Sequence, residues 1–250
     1  GRRAQSALRP PYGTPAAIKM LALRVSEAFL DAIWPPACPV CQRPLETAQR
    51  LCASCTTQLA PLQARCERCS YPIPCHLCGN LPTPLTALIA ATEYTRAREL
   101  VFAYKYGRIR SVGRFLADIL AETVRQNPYG QSADVIAAVP LHRVRERERA
   151  FNQSDLLAAA VAAALGKPLA STALVRTRAT PRQATIQSRA ERMANVRGAF
   201  LVRDARAFCG KTVLLVDDVI TTGATVCALA ETVLEAGALA VSAAAVAHPF

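Results

Sequence analysis

Residues 213–225 read VLLVDDVITTGAT: four apolar residues, two adjacent acids, then a turn rich in Thr and Gly. A short, unbroken apolar run of this kind predicts a strand buried on both faces, as strands are in a parallel sheet. The helical pattern ATVCALAETVLEAGA overlaps its end, and AVSAAAVAH then reads as a closing strand. Strand, loop, helix and strand at this spacing predict an α/β fold with right-handed parallel crossovers.

The same alternation extends upstream. Residues 88–94, LIAATEY, read as a strand, and ARELVFAYKY after them as a helix. DVIAAVP is a short apolar run closed by proline, and DLLAAAVAAALG from Asp155 is a helix stopped by Gly166 and Pro168. In open parallel sheets, ligands bind where strands end and helix N-termini present backbone amides. VLLV carries Asp217 and Asp218 to such an end. Beyond them, Gly223 permits close backbone approach, and Thr221, Thr222 and Thr225 offer hydroxyls around Ala224. Phosphate is repelled by paired acids, so the acids suit ribose hydroxyls, with or without magnesium, while the turn suits the 5-phosphate. A strand-end Asp followed by a Thr-Gly turn also serves as a plain helix cap. What favours the ligand reading is that all thirteen residues fit one sugar phosphate.

Eight of the ten cysteines form four Cys-x-x-Cys pairs, CPVC, CASC, CERC and CHLC. Two such knuckles complete one tetrahedral thiolate site, so four pairs predict two structural zinc ions. Sequential pairing groups Cys38, Cys41, Cys52 and Cys55, then Cys66, Cys69, Cys75 and Cys78; interleaved pairing remains open. Four thiolates close the shell of zinc, leaving no position for a substrate, and His76 is read as a bystander. Cys209 and Cys227 read as small buried apolar residues.

Composition narrows the class. A hydrophobic share of 52% against 19% charged residues excludes a disordered chain. No apolar run reaches membrane-spanning length. The segment MLALRVSEAFLDAIW carries Arg24, Glu27 and Asp31, which suits an amphipathic helix better than a secretion signal. The cytoplasm is the expected location. The formal charge of +12 is partly concentrated between His142 and Arg203, where twelve Lys or Arg face four acids. That stripe favours an anionic partner, a phosphorylated small molecule or nucleic acid, while any single Arg in it reads equally well as solvated surface.

VLLVDDVITTGAT resembles the phosphoribosyl pyrophosphate (PRPP) motif of type I phosphoribosyltransferases. CPVC through CHLC resembles the double zinc ribbon that precedes this domain in the ComF family of competence-associated proteins. YKYG at residues 104–107, VPLHRVRERERAFNQSDLLA and RTRATPRQATIQSRAERMANVRGAF are similar to further segments of that family, in the same order. Ala150 departs from it, standing where the family has Gly.

The resemblance implies three regions: an N-terminal extension with the amphipathic helix over 1–36, a small double zinc ribbon with four cysteines per metal over 37–82, and a Rossmann-like phosphoribosyltransferase domain over 83–250. It implies that Asp217 and Asp218 bind ribose hydroxyls and that Thr221, Thr222, Gly223, Ala224 and Thr225 cradle the phosphate. Lys105, Arg143, Arg149, Asn152 and Gln153 become candidates for the pyrophosphate side, and Arg176, Gln183, Arg189 and Arg192 for a loop closing over the ligand. The implied cofactors are structural zinc, and magnesium accompanying PRPP. The implied activity is pentosyl transfer, with no catalytic residue singled out, in the handling of DNA during natural competence. Implied partners are single-stranded DNA and proteins of the competence machinery. Two other readings stand beside it: a nucleobase salvage transferase, and a zinc-ribbon protein binding single-stranded nucleic acid with a regulatory or vestigial PRPP pocket.

Overall fold

The computed structural model describes residues 37–38, 40–45, 51–59, 65–75, 78–106, 110–149, 151–178, 196 and 198–249. The amphipathic helix expected before residue 36 lies outside them, as do His76 and Ala150.

Four parallel strands form the main sheet: β1 (Leu88–Glu93), β2 (Val135–Ala138), β5 (Thr212–Val219) and β6 (Ala240–His248), in the order β1-β6-β5-β2. The period of two along β5 splits its apolar run between two core layers. Val213 and Leu215 face one, Leu214 and Val216 the other, and all four are fully buried. Burying each of these side chains contributes about 1.5–3 kcal/mol, so the VLLV run alone anchors both layers. Alanines dominate central β6, where Ala243, Ala244, Ala245 and Ala247 keep no exposure.

Helices cover both faces. After the short α1 (Ala53–Gln58) come α2 (Tyr94–Tyr106), α3 (Arg110–Gln126), the single turn α4 (Pro128–Gln131), α5 (Arg143–Arg149), α6 (Gln153–Leu165) and α7 (Ala224–Glu235). On one face α3 packs on α6 over Leu214, Val216, Ala244 and Val246. On the other, α7 supplies Val226, Leu229 and Val233. Helix α6 begins two residues before the expected Asp155, because Asn152 caps it by accepting from Ser154 N–H at 3.3 Å, and Gly166 ends it at φ 63°. A two-stranded antiparallel sheet, β3 (Leu174–Arg176) with β4 (Phe200–Val202), stands apart from the parallel one.

The cysteine region folds as two copies of one knuckle. In each, the first Cys donates its N–H to the carbonyl five residues on (Cys38 to Arg43, 2.7 Å; Cys66 to Tyr71, 2.9 Å). In each, the fourth residue after that Cys turns left-handed, Gln42 at φ 61° and Ser70 at φ 57°. The first ribbon joins a core layer through Leu51 and Leu59. The second is stitched to the open side of edge strand β1. Leu88 N–H donates to Arg68 O (2.8 Å), Ser70 Oγ donates to Leu88 O (3.1 Å) and accepts from Ala90 N–H (2.9 Å), and Arg65 Nη1 reaches Ala90 O (3.1 Å). An edge that would otherwise invite strand pairing is thereby closed. Of the two lone cysteines, Cys227 is buried as expected, but Cys209, in the turn between Ala205–Ala207 and β5, is exposed.

Candidate functional site

Within each sequential group of four cysteines, the Sγ atoms lie within 4.8 Å of one another, which resolves the pairing left open by spacing. Representative Sγ separations are 3.5 Å for Cys41–Cys52 and 3.2 Å for both Cys66–Cys78 and Cys69–Cys75. These are far beyond a disulfide bond, about 2.05 Å, and near the separation of about 3.8 Å that tetrahedral Zn–S bonds of ~2.3 Å impose. Burial and neighbouring sulfurs push Cys55 and Cys69 well above the ordinary thiol pKa. Four thiolates at such distances require a compensating cation, so the donor set fits zinc.

The acid pair sits at the C-terminal end of β5. Asp217 Oδ1 accepts from Ser154 Oγ (2.9 Å) at the start of α6 and from Asp218 N–H (2.8 Å). Lys105, in the last turn of α2, places Nζ 2.9 Å from Asp218 Oδ1. Burial, and then the charge of Asp218, push Asp217 up to about 7, against the opposing pull of Lys105 and Ser154. The pair is therefore short of positive charge even with Lys105 present.

Directly after the acids the chain turns through Thr221 to Gly223, the left-handed N-cap of α7 at φ 78°. A Cβ on Gly223 would stand 2.9 Å from Pro82 Cγ, so the segment leaving the second ribbon forms a wall of this turn. Among the described residues, Thr222 Oγ1 is buried and has no hydrogen-bond partner. Leaving a hydroxyl in that state costs about 1–3 kcal/mol, which an incoming phosphate oxygen can offset. The space beside the turn is small, about 20 Å³, and is lined by Asp217, Thr221 and Gly223 to Val226.

A larger cavity of about 430 Å³ opens next to it, between the end of β2, α5 and β3. Arg143 and Arg176 both line it, with His142, Asn152, Asp155 and Arg203. Arg176 is buried, its guanidinium 5.4 Å from the Phe200 ring centre, and burial followed by the charge of Arg145 lowers its pKa. Asn152 lines this cavity, and Gln153 follows it as the first residue of α6. Asn152 Nδ2 donates to Val139 O (3.2 Å) and Asp155 Oδ1 (2.9 Å), while Gln153 O accepts from the buried Tyr104 hydroxyl (2.7 Å). Gln183, Arg189 and Arg192 lie outside the described residues, as does the side chain of Arg149. A still larger groove, about 860 Å³, runs between the first ribbon and α2, away from the acid pair.

Sequence reasoning gave no role to Ser154, Tyr104 or Pro82. Ser154 and Tyr104 adjoin residues that were singled out, but nothing in their own spacing marks them, since their partners are 63 and 49 residues away.

Two family models match: a phosphoribosyl transferase domain over residues 152–249 and a double zinc ribbon domain over residues 29–83. The DNA utilization protein YhgH of Salmonella typhimurium is 33% identical over 217 residues, covering 83% of this chain and 94% of that protein. Competence protein F of Haemophilus influenzae is 27% identical, covering 75% of this chain and 80% of that protein. Among solved structures, the glutamine PRPP amidotransferase of B. subtilis aligns with 57% of this chain and 30% of its own at 25% identity, with a TM-score of 0.40. With a third of the 217 aligned residues identical across nearly the full length of YhgH, and with both domain models matched, the chain belongs to the ComF family of double zinc ribbon and phosphoribosyltransferase proteins.

Proposed function

We propose that this protein binds PRPP and serves in the use of incoming DNA. The observation that carries the reading is the join of a charge-deficient acid pair to a turn whose Thr222 hydroxyl is buried without a partner. The 5-phosphate lies in Thr221 to Thr225, and the ribose hydroxyls meet Asp217 and Asp218, with Lys105 released from Asp218. The pyrophosphate extends towards the cavity lined by Arg143 and Arg176. Magnesium bound with PRPP adds positive charge beside the two carboxylates, whose oxygens suit a hard cation. In a transfer step the acceptor would bond to ribose C1 as the C1–O bond to pyrophosphate breaks, and the two arginines would stabilise the charge gathering on the leaving group. Calorimetry with PRPP and magnesium tests the pocket. Wild type binds, and the double change Asp217→Asn with Asp218→Asn abolishes the heat; equal binding by both proteins sinks the reading. Pyrophosphate release across a panel of free bases, with and without DNA, then separates salvage of one base from a role tied to DNA.

The names of the relatives, and the exposed Arg143 and Arg147 on α5, support a second property, contact with single-stranded DNA. Affinity for an oligonucleotide should then fall steeply with salt and with Arg143→Ala combined with Arg147→Ala. A flat salt response excludes it.

A further inference from the structure

We infer that His248 is a positioning residue for the phosphate-binding turn, held in place by Tyr71 of the second zinc ribbon. The inference rests on the sugar-phosphate reading of that turn, and it begins at Ile220, the last residue before Thr221. Both backbone groups of Ile220 are held by consecutive residues at the end of β6. Its N–H donates to Ala247 O at 3.1 Å, and its carbonyl lies 2.7 Å from His248 Nδ1.

A carbonyl oxygen can only accept, so the imidazole carries its proton on Nδ1. Burial holds the His248 pKa below its usual value, against the upward pull of the Ile220 hydrogen bond and with a smaller push from the charge of Arg65, and so favours this neutral ring. The ring itself is buried, and Tyr71 packs edge-on against it with centroids 6.0 Å apart. Tyr71 belongs to the second knuckle, where its carbonyl accepts from Cys66 N–H.

The consequence follows from peptide geometry. Ile220 C=O and Thr221 N–H belong to one planar trans unit, so they point in opposite directions. Fixing the carbonyl on His248 therefore aims the first amide of the turn away from β6. An unheld Ile220–Thr221 peptide is free to rotate and turn that amide aside. Pro82, packed over Gly223, restrains the far end of the same turn. Three residues that carry no chemistry thus fix both ends of a three-residue turn, and two of them come from the ribbon or its exit.

The test compares His248→Leu, which keeps the bulk and loses the donor, with His248→Asn, whose amide nitrogen takes the place of Nδ1. In calorimetry, His248→Leu weakens ribose 5-phosphate and PRPP in parallel by about tenfold, the size of one lost backbone hydrogen bond, while His248→Asn stays within about threefold of wild type. Wild-type affinity in His248→Leu, or an equal loss in both variants, overturns the proposal. If wild type binds neither ligand, the sugar-phosphate reading fails by itself. Amide hydrogen exchange at Thr221 to Ala224 in the ligand-free full chain then decides the positioning. Faster exchange in Leu with recovery in Asn upholds it, and unchanged exchange in Leu overturns it.

Discussion

Asp217 shows how one buried carboxyl can cost the folded state stability. Its carboxyl is raised to about 7, chiefly by burial and then by Asp218. The unfolded chain has an ordinary aspartate near 3.9, so between about pH 4 and 7 the folded state binds more protons than the unfolded one. Stability therefore falls as pH rises through that window and levels off above it. Asp217→Asn removes the titration and keeps an oxygen able to accept from Ser154 and from Asp218 N–H. The variant should gain on the order of 2 kcal/mol over wild type above pH 7, with the gain vanishing towards pH 4. Thermal unfolding midpoints of both proteins from pH 4 to 8 check this; a difference that does not change with pH contradicts it. The position of the acid pair was legible, because the unbroken apolar run before it marks a buried strand whose end the acids occupy. Its setting was not. Ser154 and Lys105 reach the pair from helices far away in the chain, and the contacts that raise Asp217 exist only after folding.

Among elements, the parallel strands and α7 were readable because burial on both faces leaves unbroken apolar runs and a glycine turn marks the switch to helical period. Helix α3 went unread although amphipathic, since Gly113 sits inside it where an isolated helix would have Ala. The fold explains that glycine: a Cβ there would stand 2.5 Å from Tyr104 Cε2, in the space taken by the ring whose hydroxyl holds Gln153. The short β3 and β4 lie either side of the Gln- and Arg-containing segment in sequence, and three-residue strands carry too little pattern to stand out. Edge strand β1 offers the sharpest test at this scale. Ser70 alone satisfies both Leu88 O and Ala90 N–H, from a left-handed backbone that glycine would adopt without strain. Ser70→Ala strands two buried backbone groups and should cost about 2–4 kcal/mol in urea unfolding. Ser70→Gly loses the same bonds but relieves the backbone, so it should cost about 1 kcal/mol less than alanine. An alanine variant as stable as wild type would show that the knuckle merely rests against the strand.

For the whole molecule, the two ribbons differ in what they hold. The first contributes Cys38, Leu51, Cys52, Cys55 and Leu59 to the core layer beneath α3 and α6. The second closes the β1 edge, and through Tyr71 and Pro82 it touches His248 and Gly223, which bound the turn after β5. The cysteine spacing announced both metal sites, yet it was silent on this division, which depends on which surface each knuckle meets. The division makes metal removal informative. Total metal should be close to two zinc per chain, with Cys38→Ser and Cys66→Ser each reducing it to about one. Cys38→Ser should lower the unfolding temperature while leaving ribose 5-phosphate affinity near that of wild type wherever the protein stays folded. Cys66→Ser should weaken that ligand even below its own unfolding transition, because the wall of the turn has loosened. Coupling between two sites is reciprocal. Saturating ribose 5-phosphate should therefore raise the zinc affinity of the second site, read by equilibrium competition with a chromogenic chelator, and leave the first unchanged. Equal zinc affinity of the second site with and without a ligand shown to bind would mean that ribbon and turn are neighbours without a thermodynamic link.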